Sequence, residues 1–393
     1  MKWICLLLLL AQTTLAWGLT ESEAVGLALR LPIMERQLAA RHSLALARVE
    51  AAGRWANPEL EYTRESVDFP SGSLDEDSYL IRQRINLAGV KALERSAARW
   101  ELGAEESRIE LTRREWVAEI RQVFYTVLLH EQRQRVVGLW RDRLAELADA
   151  VAAQARAGDL SHYDRLRVVR EQSRLQALEL EVEAALQTAR DSLSALLDTK
   201  LSNVTGTLWP PAPPTKPMLQ LAEHPVLLAL DAEIESATAN AKAAGRAKWP
   251  ELTLGLGHKE VTEPDVRGDG LVISLGVELP LFDRGRGREA MAAHRRHVLE
   301  TERVLMSRRL EVDAKGVLQR WRSSLEAFEL CERDAFEPLA DMAEAAYRGG
   351  EIGMMEMMDA WRGERELRLE MLDHAHRARQ AWIEWQLLTG ESP

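Results

Sequence analysis

The stretch AAGRWANPEL at residues 51–60 returns as AAGRAKWPEL at residues 243–252, with seven of ten positions identical at an offset of 192. A second echo falls on the same offset. RAGDLSHYD (156–164) aligns with RGGEIGMME (348–356), placing Gly158 on Gly350, Asp159 on Glu351, Leu160 on Ile352 and Asp164 on Glu356. Solenoid repeats run to about 20–50 residues, so these echoes mark one unit of roughly half the chain, used twice. An element found in one half therefore has an expected counterpart in the other.

Most of each half reads as long helix. Residues 92–157 contain no proline. Trp116, Ile120, Val123 and Val127 fall at 4-3-4 spacing, and Val182, Leu186, Ala189, Leu193 and Leu196 at 4-3-4-3 spacing. Each set makes one apolar seam for a partner helix. At about 1.5 Å per residue, 92–157 would extend roughly 100 Å, 159–200 about 60 Å and 21–53 about 50 Å. Two shorter helices thus match one long one. In the second half, 284–348 is matched in the same way by 222–247 plus 352–389. The expectation is a tall, tubular wall of helices.

Between short and long helices each half carries two stretches that alternate with period two. In the first half, Leu60 and Tyr62 alternate with Glu59, Glu61 and Thr63. Tyr79, Ile81, Gln83 and Ile85 then alternate with Leu80, Arg82, Arg84 and Asn86. In the second, Leu252, Leu254 and Leu256 alternate with Thr253, Gly255 and Gly257. Ile273, Leu275, Val277 and Leu279 then alternate with Ser274, Gly276 and Glu278. Such strands have one apolar and one polar face. Loops rich in Gly, Pro, Ser, Asp and Glu (67–77 and 262–270) join each pair. Membrane β-barrels use strands of about 9–11 residues with this alternation, and the smallest close with about eight. Four strands therefore need further copies of the chain; the other reading is two water-soluble hairpins packed on the helices.

The N-terminus reads as a signal peptide over residues 1–16, with Lys2, an apolar Ile4–Leu10 core and Thr14-Leu15-Ala16 before a cleavage site. A retained amphipathic anchor is the alternative. Cleavage leaves Cys331 as the sole thiol, so no disulfide forms within the chain. The first repeat is assigned to 17–206, with strands about 58–66 and 78–88. A Pro-rich linker occupies 207–218, and the second repeat 219–393, with strands about 250–261 and 271–282. Proline keeps the linker out of helix and central strand. A net charge of −11 argues against a nucleic-acid partner. No phosphate loop, HExxH or GxSxG motif is present, so no enzyme is expected.

The order of these parts resembles the TolC-type outer membrane factors, and is most similar to the outer membrane components of heavy-metal cation efflux systems. The residues that carry the likeness are Leu279-Pro-Leu-Phe-Asp283 with Gly285, Tyr347-Arg-Gly-Gly-Glu-Ile352 leading to Met358-Asp359-Ala360, and the strand-leading Asn57-Pro58 and Trp249-Pro250. The resemblance implies a mainly α fold with a membrane β-barrel portion, built from a duplicated helix–β-hairpin–long helix–turn–helix unit. It implies a homotrimer whose strands close a twelve-stranded barrel in the outer membrane of a Gram-negative cell, above a helical tunnel in the periplasm. Its partners would be a periplasmic adaptor and an inner-membrane pump of the proton-driven resistance-nodulation-division type. No cofactor or resident metal is implied, and energy would come from the pump. Two alternatives stay open: the duct of a type I protein secretion system, and a soluble periplasmic coiled-coil scaffold.

The resemblance also assigns residues. Gly158, Leu160 and Ser161 in one helix–helix turn, and Gly350, Ile352 and Gly353 in the other, would dock the adaptor; glycine is also what a helix reversal requires. Glu356 and Asp359, three apart on one helix face, would ring a constriction with a cation-favouring field. Asp164 and Tyr347 would complete that periplasmic gate. A plain solvated acidic face is the other reading. Met354, Met355, Met357 and Met358 fit either soft-metal contact or adaptable packing, and packing is preferred. His294 with His297, and His374 with His376, lack the ligands that complete a metal site and read as surface histidines.

Overall fold

The computed structural model describes residues 18–70, 72–157, 161–201, 203–215, 221–279, 281–282, 284–334 and 339–390. The expected signal peptide, Gly158, Leu160 and linker residues 216–218 lie outside them. In chain order the elements are α1 (Glu21–Leu29), α2 (Pro32–Ala51), β1 (Glu59–Phe69), β2 (Gly72–Ile85), α3 (Val90–Ala157) and α4 (His162–Leu197). There follow α5 (Pro225–Arg246), β3 (Glu251–Thr262), β4 (Arg267–Glu278), α6 (Arg286–Asp334), α7 (Leu339–Arg348) and α8 (Met354–Thr389). The protein is mainly helical, with one small antiparallel sheet.

Two expectations from the sequence need correction. The helix expected over 21–53 breaks before Pro32, which opens α2 where a missing N–H costs nothing. Of the helix expected over 284–348, Arg286–Asp334 and Leu339–Arg348 are helical and 335–338 lie outside the described residues. The loops expected at 67–77 and 262–270 are shorter, because the strands run into them. Polar residues carry the first ladder outward there. Tyr62 donates to Asp77 (2.6 Å), Ser66 donates to Asp75 (2.5 Å), and Arg64 pairs with Asp75 at 3.5 Å.

The described residues fall into two compact units that cut across the sequence repeats. Of the described residues, one unit takes those up to Glu35, from Arg113 to 215 and from Glu311 onward; the other takes Arg36–Thr112 and 221–310. Each draws on both halves of the chain.

In the first unit the expected seams are buried. Ile120, Val127, Leu186, Ala189 and Leu193 meet in one apolar cluster, with Trp116, Val123 and Leu196 packed against it. The linker is clamped onto this core by one cation. Arg379, 4% exposed, donates to the backbone carbonyls of Thr207 (2.9 Å), Leu208 (3.2 Å) and Trp209. Its guanidinium lies between the rings of Tyr125 (4.5 Å) and Trp382 (4.7 Å). Tyr125 and Arg121 both donate to Glu21, tying α1 to the same site. Trp209 packs on Phe328 in a tilted pair (ring centroids 4.0 Å apart, 51° between planes), and Arg322 donates to the Pro214 carbonyl (2.7 Å). An extended Pro-rich chain has no bonds of its own to offer, so its order comes from these contacts.

The second unit holds the sheet, in the order β1-β2-β3-β4, with β2–β3 pairing joining the two halves of the chain. The register sorts the side chains. On one face Leu60, Ile81, Leu256 and Ile273 stand side by side across all four strands. Leu60 and Ile273 are 74% and 75% exposed. The other face is polar and glycine-rich. Leu80 is buried there across Gly255 and Gly257; a Cβ on Gly257 would sit 2.1 Å from the Tyr79 carbonyl oxygen. Only glycine permits that approach. No helix among the described residues is long and apolar enough to cross a membrane.

Replacing Arg379 by Met should leave three linker carbonyls without a donor, at a cost of about 3 kcal/mol. Thermal unfolding in detergent and limited proteolysis of 207–215 should report a lower midpoint and faster cleavage. Arg379→Lys, with the charge but no planar fork, should recover only part of the loss.

Candidate functional site

The two helix–helix turns are built differently. After α7, Glu351 donates to the Ala346 carbonyl (2.9 Å) and Gly350 to the Tyr347 carbonyl (3.0 Å), with Gly350 at φ +73°. That is a Schellman end, whose left-handed position favours glycine. Gly353 then caps α8, and the Glu356 carboxylate accepts the Gly353 N–H at 2.9 Å. In the other turn Ser161 caps α4: its hydroxyl accepts the Asp164 N–H (3.1 Å) and donates to the Asp164 carboxylate (2.6 Å). The echoed acidic pair Asp164 and Glu356 thus shares one local task, a third-position carboxylate at a helix start.

Glu356 and Asp359 are both exposed on α8, and Asp359 pairs with Arg362 at 3.0 Å. Within the chain no hydrogen bond joins Asp164 to Tyr347 among the described residues. Asp164 is committed to Ser161, while Tyr347 and Ile352 pack on the cluster of Met357, Met358 and Trp361. Met354, Met357 and Met358 are buried in that cluster, so their thioethers fill core.

The strongest charge feature near the turns is a group that the sequence analysis did not single out. Glu171 on α4 is 7% exposed and accepts from Arg362 (3.0 Å) and Arg365 (3.3 Å) of α8. Burial opposes its charge, yet the two guanidinium groups outweigh that and hold its carboxyl below the usual range. Arg362 bridges Glu171 and the exposed Asp359, linking an interior ion pair to the surface. The sequence did hold a signal: Val168, Glu171, Leu175, Leu178 and Val182 keep seam spacing, so Glu171 stands where an apolar residue is due. Glu364 breaks the α8 seam in the same way. It is buried and accepts the Ala340 N–H of α7 at 2.7 Å.

Of the histidines, His294 and His297 are exposed as expected, whereas His376 is half-buried. It bonds Gln380 Nε2 (2.9 Å) and Thr126 Oγ1 (3.3 Å). Burial above all takes its pKa down to about 4, with nearby His130, Arg133 and Arg377 acting the same way and Asp373 opposing.

Residues 217–391 match the outer membrane efflux protein family. The cobalt-zinc-cadmium resistance protein CzcC of Cupriavidus metallidurans is 25% identical over 320 residues, spanning 78% of this chain and 74% of its own. The fold is similar to solved structures of CusC (TM-score 0.81, 15% identity, 95% of this chain and 92% of that one) and of the Campylobacter jejuni CmeC outer membrane channel (TM-score 0.79, 12% identity, 94% and 85%).

Glu171→Ala strands two guanidinium groups, one of them nearly buried, and should destabilise the protein by about 3 kcal/mol. Glu356→Ala loses a cap contact worth about 1 kcal/mol; paired thermal melts would establish the order. For His376 the folded pKa lies below the ordinary 6.5, so its contribution is present above that value and lost as pH falls toward 4. Between those limits it should tilt stability by about 1.4 kcal/mol per pH unit. His376→Gln should flatten the fall in melting temperature across that window.

Proposed function

We propose that this chain, whose residues 217–391 match the outer membrane efflux protein family, is the outer membrane exit duct of a tripartite efflux system. The observation that carries the reading is the sheet. An apolar face with side chains more than half exposed does not suit water, and the outer edges of β1 and β4 have no partner strand among the described residues. Lipid does not tolerate open edges. Three chains laid edge to edge would close twelve strands, with the polar, glycine-rich face lining the lumen and the apolar face toward lipid.

In such a trimer the helices would continue as a tunnel into the periplasm. The turns with Gly158, Leu160 and Ser161, and with Gly350, Ile352 and Gly353, would be the docking tip for a periplasmic adaptor, itself joined to an inner-membrane pump of the resistance-nodulation-division type. Glu356 and Asp359 from each chain would narrow the tunnel, with Asp164 and Tyr347 beside them. Likeness to a cobalt-zinc-cadmium resistance protein supports metal cations as cargo, and a ring of carboxylates would favour them. The duct itself would do no chemistry.

Planar-bilayer conductance of the purified protein tests this. Glu356→Gln with Asp359→Asn removes charge while keeping acceptors for the cap, so a helix defect does not obscure the result. The expected wild-type channel is small and cation-preferring, and the double variant should conduct more and prefer cations less. Channels unaffected by the variant would keep the duct and remove the gate assignment; no channel from folded trimer would remove both.

A further inference from the structure

At the end of the sheet away from the hairpins, all four strand–helix junctions hold a large apolar side chain in the open. They are Trp55 before β1 (58% exposed), Leu87 after β2 (73%), Trp249 before β3 (61%) and Phe282 after β4 (100%). The register sets them near one level. Gln83 of β2 donates to the Ala56 carbonyl, Asn86 donates to Glu251, and Glu251 pairs with Glu278. Exposure at the edge junctions alone could be covered by a neighbouring chain. Leu87 and Trp249 sit at the two central strands, so what covers all four has to be continuous.

Cations stand beside these side chains. Arg54 precedes Trp55, Lys248 precedes Trp249, and Arg284 and Arg286 follow Phe282; all four are exposed. Lys248, Arg284 and Arg286 form no ion pair among the described residues; Arg54 donates from Nε to the Glu50 carbonyl (2.8 Å), with the Glu50 carboxylate at 4.0 Å. The hairpin end has the opposite sign, with Asp68, Asp75, Glu76, Asp77, Glu260 and Asp269 outnumbering Arg64, Lys259 and Arg267. In a chain of net charge −11, basic residues gathered beside exposed aromatics run against the average. Amphipathic rings next to Lys and Arg, just beyond an apolar band, suit the boundary between hydrocarbon and headgroups. The echoed decapeptides of the two halves each deliver one such pair, Arg54–Trp55 and Lys248–Trp249.

We propose that the strand–helix junctions form an aromatic–basic collar that binds the phosphate headgroups of anionic phospholipid at the rim of the bilayer the sheet spans. This rests on the membrane reading above. The rings sit among the upper acyl carbons and headgroups, and Lys248, Arg284 and Arg286 draw anionic lipid over zwitterionic lipid.

The test uses the full chain in vesicles of brominated phosphatidylcholine, alone or mixed with brominated phosphatidylglycerol, read by tryptophan quenching. Comparison with Trp55→Phe/Trp249→Phe isolates those two rings from the other tryptophans. The expected wild-type result is strong quenching of Trp55 and Trp249, with a several-fold preference for phosphatidylglycerol that inorganic phosphate does not abolish. Lys248→Gln/Arg284→Gln/Arg286→Gln should bring the preference to about one. Lys248→Arg/Arg284→Lys/Arg286→Lys should retain it, separating charge from folding. Equal preference in wild type and the neutral variant, or no quenching of the two rings, in protein that floats with vesicles would overturn the collar alone. Protein that never floats with vesicles would overturn the membrane reading and the collar together.

Discussion

The sheet turns on two rows of backbone groups, the outer N–H and C=O groups of β1 and β4. Alone in water they are a template for uncontrolled pairing; in lipid, each would cost several kcal/mol unsatisfied. Exposed leucine and isoleucine beside them make water the poorer home. Closure with further copies resolves both difficulties at once, because it satisfies the edges and turns the apolar face outward. The pairing of β2 with β3 matters for the same reason. It fuses a hairpin from each half into one sheet, so the proposed trimer would need one kind of junction, β4 of one chain with β1 of the next. Gly255 and Gly257 fit this arrangement, since small residues on the polar face leave space where Leu80 lies across the sheet.

The turns of the helical unit show charge in two roles. Asp164 and Glu356 hold helix starts, and a carboxylate already bonded to its own helix is fixed in position. A gate benefits from that, since a charge that cannot swing away keeps its distance to the same charge in a neighbouring copy. Glu171 works in the interior. Removed from water between α4 and α8, it is stable only while Arg362 and Arg365 face it. Arg362 also meets Asp359, so the exposed candidate gate residue is coupled to a pair whose separation would be costly.

Much of this was legible because it is periodic. Period-two alternation placed the strands, and 4-3 spacing placed the buried faces of α3 and α4, since burial on one side writes itself into local order. What depended on partners distant in the chain was not legible. Glu171 and Arg362 lie in helices crowded with charge, and only the seam position of Glu171 marked it. The strands outran their expected ends because Asp75 and Asp77, residues that ordinarily signal a loop, found Ser66, Tyr62 and Arg64 opposite. His376 looked fully exposed because nothing in its neighbours announces that Thr126 and Gln380 bond it and half-bury it.

The methionines bear on the cargo. A run with Met354, Met357 and Met358 suggests thioether chemistry when read as a string, but all three side chains face the core with Trp361. They serve the packing of α8 against the turn, where an unbranched, polarizable side chain fits irregular space. Any preference of this chain for cations would then come from oxygen and from field: Glu356, Asp359 and their symmetry copies. Such a field is indifferent to the identity of the ion beyond its charge. Choice among metals would fall to the pump, and the duct would discriminate by sign. Carboxylates held by a helix cap and an ion pair suit that division, whereas a flexible ligand set, able to close around one ion and slow its exit, would work against it.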